Sequence, residues 1–256
     1  MDSHDLNEKV FIVTGATSGM GKAIAQQLGK KGAQLILSGR NTERGEEVAE
    51  GINEDQGAAL FVPGDVGKVA YNQSLVQEAV RSFGGIDGVA TNAGMLGLGS
   101  ITDVSISQWR NTYSTNLDAV FYLLKYAIPI MQEGGGGAVV VNASIAATKS
   151  FPNHPAYCSS KAALVALARQ AAVEYGPLIR VNTISPGPVD TPLIWDSAKA
   201  FPDPARAVQD AGEATLMQRL GTPADVAKLV LFLLSENASW ITGANFTIDG
   251  GITAKG

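Results

Sequence analysis

The chain has 256 residues, 45% of them hydrophobic and 17% charged, with 11 prolines. That composition buries a large core and excludes disordered and fibrous classes. Its 24 acidic residues outnumber 19 Lys and Arg, for a net charge of -5 without a run of like charge, so no nucleic-acid partner is expected.

In chain order, residues 1–9 are polar and lack the basic start and apolar middle of a secretory signal, so export is not expected. Short apolar, β-branched runs follow at residues 10–14, 34–37, 60–63, 88–91, 138–142, 181–184 and 245–248, and read as strands. Between them, residues 21–31, 42–54, 68–83, 105–132, 155–175 and 223–235 carry helical periodicity. The alternation predicts an α/β fold: one Rossmann-like, doubly wound parallel sheet of about seven strands with helices on both faces, residues 1–256 forming a single domain. Ligands of such sheets bind beyond the carboxyl ends of the strands.

Residues 134–137 are four glycines before a strand and read as a turn. Residues 191–218, with Pro192, Pro202, Pro204, Trp195 and Phe201, show no firm periodicity and are expected to form a substrate lid. Apolar stretches such as residues 229–234 are too short to cross a bilayer, so no membrane contact is expected. The single cysteine, Cys158, excludes an internal disulfide and fits a reducing cytoplasm. With only His4 and His154 beside it, no metal is expected.

The first strand runs into Thr14-Gly15-Ala16-Thr17-Ser18-Gly19-Met20-Gly21 and then a helix. Glycines there let backbone approach a pyrophosphate, and N–H groups at a helix start bind its charge. The plain structural reading, a packing turn, accounts less well for three glycines between a strand and a helix. This spacing, with Asn92-Ala93-Gly94, Ser144, Tyr157-x-x-x-Lys161, Pro186-Gly187 and the closing Asp249-Gly250-Gly251, resembles the short-chain dehydrogenase/reductase family over residues 9–251. Thr91 departs from the asparagine common in the family, but keeps a hydrogen-bonding oxygen.

Tyr157 and Lys161 lie four apart in a helical stretch, so they share a face. A neighbouring ammonium is expected to lower the phenol's pKa and fit it for proton transfer to a carbonyl or from an alcohol. Ser144, just past a strand end, is placed to hydrogen-bond the reacting oxygen. The resemblance implies a fourth member, Asn116, as a relay link through water to Lys161. Taken singly, each of the four reads as ordinary core, cap or surface chemistry; it is their combination with the glycine loop that points to catalysis.

After the second strand, where an acid would bind an adenosine 2′-hydroxyl, the chain has Ser38-Gly39-Arg40. A missing carboxylate and an available guanidinium favour NADP(H), with NAD(H) as the alternative. The resemblance further implies cofactor contacts from Gly15, Thr17, Ser18, Gly19, Met20, Gly21, Asp65, Val66, Asn92, Ala93, Gly94, Tyr157, Lys161, Pro186, Gly187, Val189 and Thr191. It also implies a homotetramer built through residues 105–132 and 155–175 and through the last strand.

The substrate walls are expected from residues 95–98, Ile145, Phe151, His154 and residues 193–201, mostly apolar with few charges, which suits an uncharged or weakly polar ketone. Two rivals stand: a 3-oxoacyl-thioester reductase, and a catalytically silent cofactor-binding protein. The second predicts damage to the Ser, Tyr and Lys set, which is intact.

Overall fold

The apolar runs pair into one parallel sheet in the computed structural model, which describes residues 6–55 and 57–255. His4 and the first five residues of the polar start lie outside the described residues. The strands are β1 (Val10–Thr14), β2 (Gln34–Gly39), β3 (Ala58–Pro63), β4 (Gly88–Thr91), β5 (Gly137–Asn142), β6 (Ile179–Pro186) and β7 (Asn245–Ile248), in the order β3-β2-β1-β4-β5-β6-β7. Every neighbouring pair is parallel.

The central strands are β-branched and buried along their length because helices cover both faces. Side chains alternate between the two layers. Phe11, Val13, Leu35, Leu37 and Val140 join α1 (Gly19–Gly29), α2 (Thr42–Asn53) and α9 (Pro223–Leu234). Val10, Ile12, Ile36, Val139 and Val141 face α3 (Val69–Phe83), α5 (Ala119–Glu133) and α6 (Pro155–Tyr175). Leu28 on one side and Leu75, Leu123 and Leu164 on the other are fully buried, each contributing about 2 kcal/mol.

The chain leaves β1 toward β2 on one side, and after β3 returns to β4 on the other. The loops beyond β1 and β4 therefore diverge and leave a crevice at the carboxyl edge of the sheet.

Two segments differ from the sequence expectation. The single helix expected over residues 105–132 is α4 (Ile106–Tyr113), a π-helical turn (Ser114–Asp118) and then α5. Residues 191–218 hold two helices, α7 (Pro192–Ala198) and α8 (Pro204–Glu213). Pro192 and Pro204 occupy first-turn positions, where a missing N–H costs nothing, so they begin these helices instead of breaking them. Among the described residues no helix is long and apolar enough to cross a membrane.

Candidate active site

The glycine loop is built by close backbone approach. Gly15 has φ +65°, and a Cβ there would lie 2.7 Å from the Ala93 nitrogen. A Cβ on Gly21 would lie 2.2 Å from the Gly15 carbonyl oxygen. The Thr14 hydroxyl oxygen closes the crevice by accepting from Asn92 N at 3.1 Å and Ala93 N at 3.3 Å. Helix α1 starts at Ser18, whose side chain makes no capping bond, in contrast to Asn41, Asp203 and Thr222 at α2, α8 and α9. Its first turn also carries no acid. The first-turn N–H groups thus keep their capacity for an anion, and the residues fit a dinucleotide pyrophosphate.

A cavity of about 290 Å³ opens beside this loop. It is lined by Gly15, Thr17, Ser18, Gly19, Met20, Gly21, Arg40, Asp65, Val66, Asn92, Ala93, Gly94, Tyr157, Lys161 and Thr191, all expected from the sequence. Arg40 is exposed at its rim. Ser38 is not among the lining residues: it is fully buried, with its hydroxyl 2.9 Å from that of Tyr71, which donates to the Val62 carbonyl at 2.6 Å. Gly39, Gly64, Thr115, Asn142, Ala143 and Pro192 line the cavity without having been expected there, because no local pattern marks them, and Leu193 and Asp196, expected in the substrate wall, line it too.

Tyr157 and Lys161 project from the first two turns of α6, and Ser144 caps the short turn Ile145–Ala147 after β5, accepting from Ala146 N at 3.1 Å. The Lys161 side chain is 5% exposed; its Nζ donates to the Asn142 carbonyl at 2.7 Å and lies 5.6 Å from the centroid of the Tyr157 ring. The expectation that Lys161 lowers the Tyr157 pKa is corrected here. Burial pushes the phenol up to about 12, although the Ser144 hydroxyl bonded to it pulls the other way, and Cys158 adds a further upward push. Burial also pushes Lys161 down to about 8. Desolvation favours the neutral form of both groups.

Asn116 is fully buried in the π turn. Its Oδ1 accepts from Met95 N at 2.8 Å, and its Nδ2 donates to Met95 O and to Ser160 Oγ, both at 2.9 Å. An added Cβ on Gly94 would meet Asn116 Oδ1 at 3.5 Å and Lys161 Nζ at 3.8 Å, so both groups flank Gly94.

A second cavity, of about 200 Å³, lies on the other side of Tyr157. Of the expected walls, Leu96, Ile145, Phe151, His154, Leu193, Ile194, Ser197, Ala198 and Phe201 line it. Trp195 does not: its indole donates to Asp190 Oδ1 at 3.1 Å. Pro186, Gly187 and Val189, expected at the cofactor, face this cavity, while Thr191 lines both. Val208, Ala211 and Ile252 complete it from far along the chain. The lining contains no Asp, Glu, Lys or Arg. Among the described residues, no group of three or more His, Cys, Asp or Glu side chains is arranged to hold a metal.

A parallel sheet with a glycine-lined nucleotide crevice, and a Ser, Tyr and Lys set beside it, defines a nicotinamide-dependent oxidoreductase. A family model described as Enoyl-(Acyl carrier protein) reductase matches residues 15–253. Cyclohexanol dehydrogenase of Acinetobacter sp. (strain SE19) is 35% identical over 255 residues, covering 99% of this chain and 98% of its own. D-threitol dehydrogenase of Mycolicibacterium smegmatis is 36% identical over 254 residues, covering 98% and 95%. Among solved structures, levodione reductase superposes with a TM-score of 0.94 at 32% identity, covering 98% of this chain and 99% of its own. L-sorbose reductase from Gluconobacter frateurii, solved with NADPH and L-sorbose, gives 0.92 at 32% identity, covering 98% of each chain. The chain belongs to the short-chain dehydrogenase/reductase family and is an oxidoreductase of alcohols and ketones.

Proposed function

We propose that the protein is an NADP(H)-dependent oxidoreductase that interconverts a small uncharged ketone and its secondary alcohol, with Tyr157 as the proton-transfer group. One observation carries the reading: Tyr157 lines both the nucleotide cavity and the apolar cavity, at their junction with Met20, Ala143, Thr191 and Leu193. A nicotinamide bound in the first cavity supplies or takes a hydride. Everything else is asked of the chain's own groups. Tyr157, held protonated by burial, donates its proton to a carbonyl oxygen in reduction and is left as phenolate; in oxidation it is the phenolate form that takes the proton of the hydroxyl. Ser144, bonded to that phenol, steadies the charge developing on the substrate oxygen. Lys161 supplies positive charge beneath the Tyr157 ring. Asn116 stands across Gly94 from Lys161, as a link through water would require.

Preference for NADP(H) over NAD(H) rests on Arg40 at the cavity rim and on a hydroxyl, not a carboxylate, at residue 38. The uncharged substrate rests on a cavity lining without acids or bases, and it accords with the name of the cyclohexanol dehydrogenase relative. The helices over residues 191–218 serve as the lid, since α7 and α8 wall the apolar cavity. Exposed Phe121 on α5 and Val173 on α6 support a homotetramer, and a lone cysteine accords with the cytoplasm.

The test is titration of the protein with NADPH and with NADH, followed by turnover of a ketone and alcohol panel. NADPH is expected to bind at least about tenfold more tightly, and Arg40→Ala to erase most of that margin. Tyr157→Phe is expected to lower kcat by a factor of at least about 10³ while leaving the NADPH dissociation constant within about threefold. Equal or tighter NADH binding overturns the cofactor preference. Full activity in Tyr157→Phe overturns its role.

A further inference from the structure

We infer that the substrate carries a hydroxyl group besides the carbon that is oxidised or reduced, and that Ser197, backed by His154, receives it. This rests on the alcohol and ketone chemistry just proposed and extends it to the far wall of the same cavity.

Away from Ser144, Tyr157 and Thr191, the polar side chains lining the apolar cavity are His154 and Ser197. His154 is 2% exposed and both its ring nitrogens are engaged. Its Nδ1 lies 2.6 Å from the Pro152 carbonyl oxygen. A carbonyl only accepts, so the ring proton sits on Nδ1. In the neutral ring Nε2 is then an acceptor, and the Ser197 hydroxyl donates to it at 2.8 Å. The Ser197 hydroxyl makes no other hydrogen bond among the described residues, so its oxygen lone pairs stay available on the cavity side.

The pair thus presents an acceptor, with its donor already spent. It favours a hydroxyl over an ether or a second carbonyl, neither of which has a proton to give. Around it the wall is apolar, with Leu193, Ile194 and Phe201, so a substrate hydroxyl placed there and left unpaired would be penalised. The anchor is also rigid with respect to the chemistry. His154 is the residue before α6, three positions from Tyr157, and its ring meets the Tyr157 ring edge-on with centroids 6.3 Å apart. The cavity, at about 200 Å³, exceeds the ~150 Å³ that takes up a benzene ring, so a six-membered ring with one substituent fits.

The test compares cyclohexanone with its hydroxy-substituted isomers and their methyl ethers, reading kcat/KM at saturating cofactor. Calorimetric binding of cyclohexanol and the cyclohexanediols to the NADPH complex gives a second arm that needs no turnover. At least one hydroxyketone is expected to exceed cyclohexanone by roughly three- to tenfold, with its ether showing no such gain. Ser197→Ala should bring that ratio to within about twofold of one, while Ser197→Thr keeps it. A ratio near one for every isomer overturns the inference. So does a Ser197→Ala protein that lowers both substrates alike, because a mere tether between α7 and α6 would do that. Absence of turnover with a preserved diol preference in binding overturns the proposed reaction and supports the anchor.

Discussion

Lys161 is held in the fold against its own solvation. Its ordinary value of 10.5 is lowered to about 8, so keeping it charged at pH 7 costs about 3 kcal/mol. Lys161→Met removes that cost and forfeits the bond to the Asn142 carbonyl, worth about 1 kcal/mol, for a net gain of about 1 to 2 kcal/mol in urea unfolding at pH 7. Activity is expected to vanish. The sign fixes the pH window: a depressed value in the fold means that the unfolded chain binds more protons between about pH 8 and 10.5, so this group's contribution rises with pH across that range. The advantage of the variant over the wild type should therefore shrink across that window and reverse, because the roughly 3 kcal/mol cost that disappears exceeds its gain of about 1 to 2 kcal/mol. A difference that stays flat would show that Lys161 is not desolvated. Tyr157 has the opposite sign: its raised value contributes stability below pH 10 that is lost as pH rises through about 12. None of this was legible in the sequence, where the four-residue spacing gives the shared face but not the depth of burial.

At the scale of elements, the glycine spacing was legible because each glycine answers a local steric demand. Gly15→Ala would drive a Cβ to 2.7 Å from Ala93 N in a left-handed backbone. It is expected to cost about 2 kcal/mol of stability and to weaken NADPH binding at least about tenfold, read by urea midpoint and by titration. An unchanged dissociation constant would mean that the loop does not hold the cofactor. The Tyr157–Lys161 spacing was legible because the two lie one turn apart on the same helix. Ser197, Val208 and Ile252 were not legible as a group, because they meet only once α7, α8 and the segment after β7 converge on one cavity. The π turn was invisible as well. Its residues, Ser114, Thr115, Asn116, Leu117 and Asp118, fit α periodicity as well as any, and only the burial of Asn116 against Met95 and Ser160 selects the wider turn.

At the scale of the molecule, the parallel sheet followed from strands alternating with helices, while its strand order was not legible there; the proposed tetramer rests on the surface. Phe121 is 50% and Val173 76% exposed, and β7 closes the sheet with one edge unpaired among the described residues. Light scattering is expected to give the mass of four chains, and Val173→Glu to shift it toward smaller species; a monomer in the unmodified protein removes the tetramer. The π turn bears on the whole molecule in another way. It separates α4, which buries only Thr112, from α5, which buries Leu123, Leu124 and Ala127, and its extra residue sets the angular phase between them. Loss of one residue there would close the turn to an unbroken α-helix with α5 nearly in its present phase, whereas a further inserted residue would rotate α5 by about 100° and turn its apolar stripe out of the core. Insertions in residues 114–118 should therefore be far scarcer among viable descendants of this chain than single deletions.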